Sequence, residues 1–251
     1  MEFFVQENSI LRKIWGKGDT IIFIFAGAAA EFALNKAVDW LYFTGRLPAD
    51  PIGRLFSTVT YARKIIFSDY NTALEHIDKI TAIHNTVEKN RGAQIPDWAY
   101  RDVLFMLIDY SIRSYEILEK KLSEAEKNEV FDVFHRVGIR MGLTGLPRTY
   151  FEWISMREDH LNNNLECSHF TLDLFHQYKK HLGNFRYALL KQGQLLVVPE
   201  KVKNLLALGN IYWMKPILKI YKLSRLLKLN NYVRNAILPV KYMNQIKDLD
   251  V

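Results

Sequence analysis

The stretch Asp50-Pro51-Ile52-Gly53-Arg54-Leu55-Phe56-Ser57-Thr58, with the segment that follows it as far as Ala82-Ile83-His84, decides how the chain is read. Aspartate before proline marks a helix start. The carboxylate can accept from free first-turn amides, and proline is pre-set for the first helical position. Arg54 and Thr58 then stand four apart on one face, about one turn from each other. A cation and a hydroxyl on an otherwise apolar helix are unusual. The spacing predicts a second helix from Ser68. On it Ala73, Ile77, Ile80, His84 and Val87 recur at three or four residues, an amphipathic stripe with a histidine inside it. Such a histidine is either a core residue bonded to an ordinary backbone partner or a metal or haem ligand. Spacing does not choose between them.

The order of motifs carries a resemblance. Gly18-Asp19-Thr20 leads into Phe25-Ala26-Gly27-Ala28-Ala29-Ala30. The Asp50–Thr58 segment, Ile83-His84-x-x-Val87 and Leu146-Pro147-x-Thr149 follow. Taken together over roughly Leu11 to Pro199, the set resembles the mpaB/latex-clearing family, the rubber oxygenase catalytic domain. The resemblance implies an all-helical haem b protein that activates dioxygen and acts on an apolar, isoprenoid or lipid-like substrate. It implies His84 as the iron ligand, with Arg54 and Thr58 as the polar pair beside the haem. Two features depart from the pattern. Ser57 stands where the latex-clearing branch has a lysine, and serine is too short to close an open iron face. Phe105-Met106-Leu107 stands where many bacterial relatives carry Trp-Val-His.

Composition sets the frame around this site. At 251 residues and 29.5 kDa, with 49% hydrophobic and 13% aromatic residues, the chain can bury the core of one large helical domain. The single cysteine, Cys167, excludes an internal disulfide or a thiolate cluster and fits a reducing compartment. Met1-Glu2-Phe3-Phe4-Val5 lacks a basic n-region, so the location expected is cytoplasmic, peripheral on a membrane through the tail. The net charge of +7 is uneven: residues 201–251 carry +8 and the rest −1. That argues against a nucleic-acid-binding core and points to an anionic surface met by the C-terminus. Residues 1–199 therefore read as an oxygenase-like helical domain, and 200–251 as a basic amphipathic segment.

Along the chain, residues 5–15 read as a short helix and Thr20 to about Phe43 as a long one. Ile21–Ala30 is apolar all round but falls well short of the ~20 residues a bilayer span needs. Gly27 with its alanines permits a close approach, either of another helix or of a flat cofactor ring. A long helix is expected from Pro96-Asp97, with Asp109 and Arg113 as a solvated i,i+4 pair. Ser123-x-x-Glu126 and Thr149-x-x-Glu152 read as capping boxes. Helices follow near 170–182 and 185–190, and Leu195–Val198 is the single plausible strand. In the tail, Lys215, Lys219, Lys222 and Arg225 fall on one helical arc, with Met214, Ile217, Ile220, Tyr221 and Leu227 mostly on the other and Lys228 intruding.

Two rival functions remain open on sequence grounds. One is a non-haem di-iron oxidase, built on Glu166-x-x-His169, Asp132-x-x-His135 and Asp173-x-x-His176. The other is a non-enzymatic helical protein that binds lipid at a membrane surface. His160 and His181 have no partner at metal-ligand spacing and read as surface residues.

Overall fold

A computed structural model describes residues 2–45 and 49–226, without the side chains of residues 223–226. The expected fold class holds: the described residues form an all-α fold with no strand. The element that organises it is α2 (Gly18–Leu34), preceded by the short α1 (Ile10–Trp15). Ile21, Ile24, Ala26, Ala29, Ala30, Ala33 and Leu34 are all buried, as expected of a helix apolar all round. The expected run to Phe43 is broken at Asn35. Its side chain accepts from Ala37 N and donates to Asp102, which competes with helix continuation. A short α3 (Asp39–Phe43) follows.

Next comes a helical hairpin, α4 (Pro51–Phe67) and α5 (Tyr70–Arg91). Asp50 caps α4 through Gly53 N, with Pro51 in the first turn. The α5 cap is Asp69, one residue beyond the expected Ser68, and Gly92 closes α5 in the left-handed conformation at φ 68°. The hairpin register sets the Arg54 end of α4 against the His84 end of α5.

α6 (Asp97–Leu118) and α7 (Glu124–Arg140) complete the central layer, α7 opened by a full Ser123–Glu126 capping box. At α8 (Tyr150–Asn163) only half of the expected box forms. Thr149 accepts from Glu152 N, but the Glu152 carboxylate turns to Arg148 N instead. α9 (His169–Val197) comprises two helical stretches that meet at Gly183, whose φ of 72° and ψ of 169° are non-helical, so the expected division into two helices holds. Leu195–Val197 is therefore helical, correcting the expected strand; Leu195 and Val197 are buried in the core.

The chain ends, as described, in α10 (Glu200–Leu205) and α11 (Met214–Leu226). The expectations for the Arg225 side chain, for Leu227 and Lys228, and for the later basic residues lie outside the described residues. The main core runs from α1 and α2 through α4, α5, α6 and α7. Trp15 is wholly buried there, its indole N–H donating to Ser111 Oγ at 3.0 Å. No helix among the described residues is long and apolar enough to cross a membrane.

Candidate functional site

Arg54 and Thr58 meet as their spacing requires. Arg54 Nη1 donates to Thr58 Oγ1 at 2.9 Å and to Ser57 Oγ at 3.1 Å, so Ser57 helps to orient the guanidinium. Both Arg54 and Thr58 are half-buried. The Arg54 charge reaches His84 across the hairpin. Burial first, and then that charge, push the His84 pKa down to about 4, while Glu88 pulls it back upward. The ring is therefore neutral near pH 7. Its Nδ1 is buried and has no hydrogen-bond partner. The Tyr100 ring packs against it with centroids 5.1 Å apart, and the Tyr100 hydroxyl donates to Glu88 Oε1 at 3.0 Å.

The α5 stripe divides at this point. Ala73 and Ile77 are fully buried, whereas Ile80, His84 and Val87 are half-buried and the adjacent Ile83 is 45% exposed. Arg54 acts on His84, and on α5 His84 is flanked by apolar residues that the chain leaves half-buried or exposed.

Gly27 belongs elsewhere. A Cβ built on it would stand 2.2 Å from Cδ1 of Tyr110 on α6. The close approach there is made by the Tyr110 ring, so the helix-packing alternative describes Gly27 and nothing is left for a flat cofactor ring at that spot.

The largest departure from the sequence reading lies beneath Tyr110. Glu31 on α2, Asp102 and Asp109 on α6, and Arg157 and His160 on α8 are all buried and joined. Arg157 clamps Glu31 through both terminal nitrogens, with Nη2 at 2.6 Å from Oε2. It also reaches Asp109 Oδ2 through Nε at 3.1 Å and Nη2 at 2.9 Å. Tyr110 donates to Glu31 Oε2 at 2.7 Å, and His160 Nε2 lies 2.9 Å from Glu31 Oε1. His160 Nδ1 stands 2.7 Å from Asp102 Oδ1, a short contact bent away from the ring N–H direction. Asn35 and Asn164 donate to Asp102.

Burial alone would raise the Glu31 pKa, but the Arg157 charge and hydrogen bonds outweigh it and bring it to about 2. Burial likewise pushes His160 down, yet Asp102 and Glu31 draw its pKa above the ordinary 6.5. His160 is thus a buried residue, not the surface residue expected. Asp109 does pair with Arg113, at 2.6 Å, but its second oxygen is committed to Arg157 inside the core. A signal for this cluster was present in the sequence. Glu31 is the lone charge in α2 beyond its first turn, Asp102 and Asp109 are seven apart on one face, and Arg157 and His160 are three apart.

The residues proposed for a di-iron centre do not assemble. Asp132, Glu166, His169 and His176 are exposed, and Asp173 is taken by the Tyr42 hydroxyl at 2.9 Å. Among the described residues no group of three or more His, Cys, Asp or Glu could hold a metal ion.

Comparison with known proteins identifies the family. No curated protein and no solved structure matches the chain significantly. A family model does, over residues 15–221, described as ER-bound oxygenase mpaB/B′/rubber oxygenase, catalytic domain. The match covers most of the chain, and the protein belongs to this family of oxygenase catalytic domains.

Proposed function

We propose that the protein is a haem-dependent oxygenase acting on an apolar, isoprenoid or lipid-like substrate with dioxygen, and that His84 is its iron ligand. The observation that carries this reading is His84 itself: a neutral imidazole with a buried, unpartnered nitrogen, beside a fixed cation, at the edge of a half-open apolar surface. Ligation requires the neutral imidazole. With no cluster of metal-binding side chains among the described residues, the donor set is one imidazole. That is what porphyrin-held iron asks of a protein, and too little for an ion held by side chains alone. The residues present fit the group.

When bound, haem supplies the centre that activates dioxygen. The chain supplies the surroundings. His84 holds the iron, with its ring plane restrained by Tyr100, whose hydroxyl Glu88 fixes. Arg54 and Thr58 are donors held on one helix face by their mutual hydrogen bond. Where water is excluded, such a donor stabilises negative charge developing on oxygen by roughly 3 kcal/mol. Ile80, Ile83 and Val87 offer an apolar wall for a substrate chain.

The test is the visible spectrum of the purified protein and of His84→Ala. The wild type should show a Soret band. The variant should lose it while keeping its helical circular dichroism, at a stability cost on the order of 1–3 kcal/mol. A colourless wild type overturns the haem reading, and a variant with the wild-type band overturns His84 as ligand.

A further inference from the structure

We propose that α11 and the turn before it form a docking surface for an anionic lipid bilayer, with Trp213, Ile217 and Ile220 entering the interface and Lys215 and Lys219 meeting the headgroups. The inference does not depend on what His84 binds.

The helix has two sides. Met214, Leu218 and Tyr221, four and three residues apart, are half-buried and form the side turned to the domain. The Tyr221 hydroxyl donates to Asp19 Oδ2 at 3.2 Å, at the start of α2. Gln192 on α9 holds the entry to the helix, donating to Ile211 O at 2.9 Å and accepting from Met214 N at 3.2 Å. The outward side is therefore set by anchors on two core helices. It carries Ile220, 68% exposed, and Ile217, 47% exposed, and the turn before it adds Ile211 and Trp213. Lys215 and Lys219 alternate with these residues and are exposed too. The sequence reading placed lysines on one arc and isoleucines on the other; the structure adds that Met214, Leu218 and Tyr221 take up the side turned to the domain and leave both Ile217 and Ile220 outside. Apolar and basic side chains share the outward face because the inward one is already occupied.

The composition of that face selects its occupant. From Lys201 to Lys247 the sequence contains ten lysines and arginines and no aspartate or glutamate, so the partner is anionic. A nucleic acid would satisfy the lysines but leave the isoleucines and Trp213 in water. A second copy of the chain would cover the isoleucines but bring lysine against lysine across a two-fold axis. A bilayer with anionic headgroups satisfies both. Isoleucine and tryptophan enter the headgroup–acyl boundary, and lysine stems lie along it with their charge outward.

The experiment is co-sedimentation of the full chain with phosphatidylcholine vesicles, with and without phosphatidylserine. The wild type should bind the phosphatidylserine vesicles, and less as salt rises. Ile217→Glu/Ile220→Glu should weaken binding by roughly tenfold or more at unchanged circular dichroism. Lys215→Gln/Lys219→Gln should also weaken it by roughly tenfold or more, and flatten the salt dependence. An independent measurement needs no destabilising change: brominated lipid should quench a fluorescence component present in the wild type and missing in Trp213→Phe. Absence of binding, binding that the Ile217→Glu/Ile220→Glu variant retains, absence of that quenching, or a dimer of the wild type that this variant dissolves would each overturn the proposal.

Discussion

Glu31 accepts from Arg157, Tyr110 and His160 where no solvent reaches it, whereas His84 holds a buried nitrogen that accepts from nothing. The two regions draw on the same kinds of residue, an arginine and a histidine beside hydroxyl groups. They also hold their histidines in opposite states. Two carboxylates favour the charged ring at His160, while burial and a neighbouring guanidinium favour the neutral ring at His84. A charge that is buried and fully paired has no capacity left for a ligand, and it joins α2, α6 and α8. A polar group left with spare capacity beside a half-open surface can bind one.

The hardest test of this contrast is Arg157→Leu. It removes the shared partner of Glu31 and Asp109 and leaves two buried carboxylates without it. Breaking a buried ion pair from one side typically costs about 3–5 kcal/mol. Urea denaturation should show a loss of that size. A loss within about 0.5 kcal/mol, the scale of ordinary surface changes, would mean that the cluster does not hold the three helices together.

Gly27→Ala comes next. The added methyl must displace the Tyr110 ring, which also donates to Glu31. Overpacking of this kind costs typically about 1–3 kcal/mol. It should lower the melting temperature without shifting any haem band, since Gly27 lies against Tyr110. A changed spectrum at unchanged stability would place Gly27 with the other region after all.

What could be read in advance followed the range of the forces involved. Asp50-Pro51 and Ser123-x-x-Glu126 declare themselves within a few residues, because capping is a local bargain between one side chain and one amide. The Arg54–Thr58 pair was legible for the same reason. The Glu31 cluster was not, because its bonds join residues 48 to 129 positions apart. An i,i+4 rule sees Asp109 and Arg113 and stops there. The break at Asn35 was missed because its amide is bound both locally and to Asp102 across the core. The break within α9 was legible, because Gly183 takes a non-helical φ of 72° that glycine adopts at little cost, and two helical stretches meet there as expected.

Smaller in effect is the pH dependence of stability. A histidine whose folded pKa is raised contributes its full stabilisation below 6.5, its ordinary value, and loses it as pH rises through the folded value. Urea midpoints should therefore decline as pH rises above 6.5. Asp102→Asn removes the first of the interactions that raise the His160 pKa, so in that variant the decline should be smaller and end at lower pH. Glu31 sets the acid limit. Its pKa is lowered from 4.5 to about 2, so its contribution is present above 4.5 and fades as pH falls toward 2. An alkaline profile identical in wild type and Asp102→Asn would remove His160 from the account.

The smallest expected change in stability is at Arg54→Ala, and it is the one that separates the two regions most cleanly. Arg54 is half-buried, and its hydrogen bonds to Ser57 and Thr58 run along one helix face, where water can take over the hydroxyls it leaves. Polar pairs at a partly exposed helix face contribute within about 1 kcal/mol, and alanine returns a few tenths through its helix propensity, within a scale of ~0.7 kcal/mol for ordinary residues. The urea midpoint should barely move. Function should respond far more. If Arg54 stabilises negative charge during oxygenation, turnover falls on the order of a hundredfold or more, by the removal of one fixed donor, while the Soret band persists. If Arg54 instead pairs with a haem carboxylate, haem occupancy falls and the haem that remains turns over normally. Full activity at full occupancy removes both roles. A cost of several kcal/mol would make Arg54 a folding residue like Arg157, and the contrast between the two regions would no longer hold.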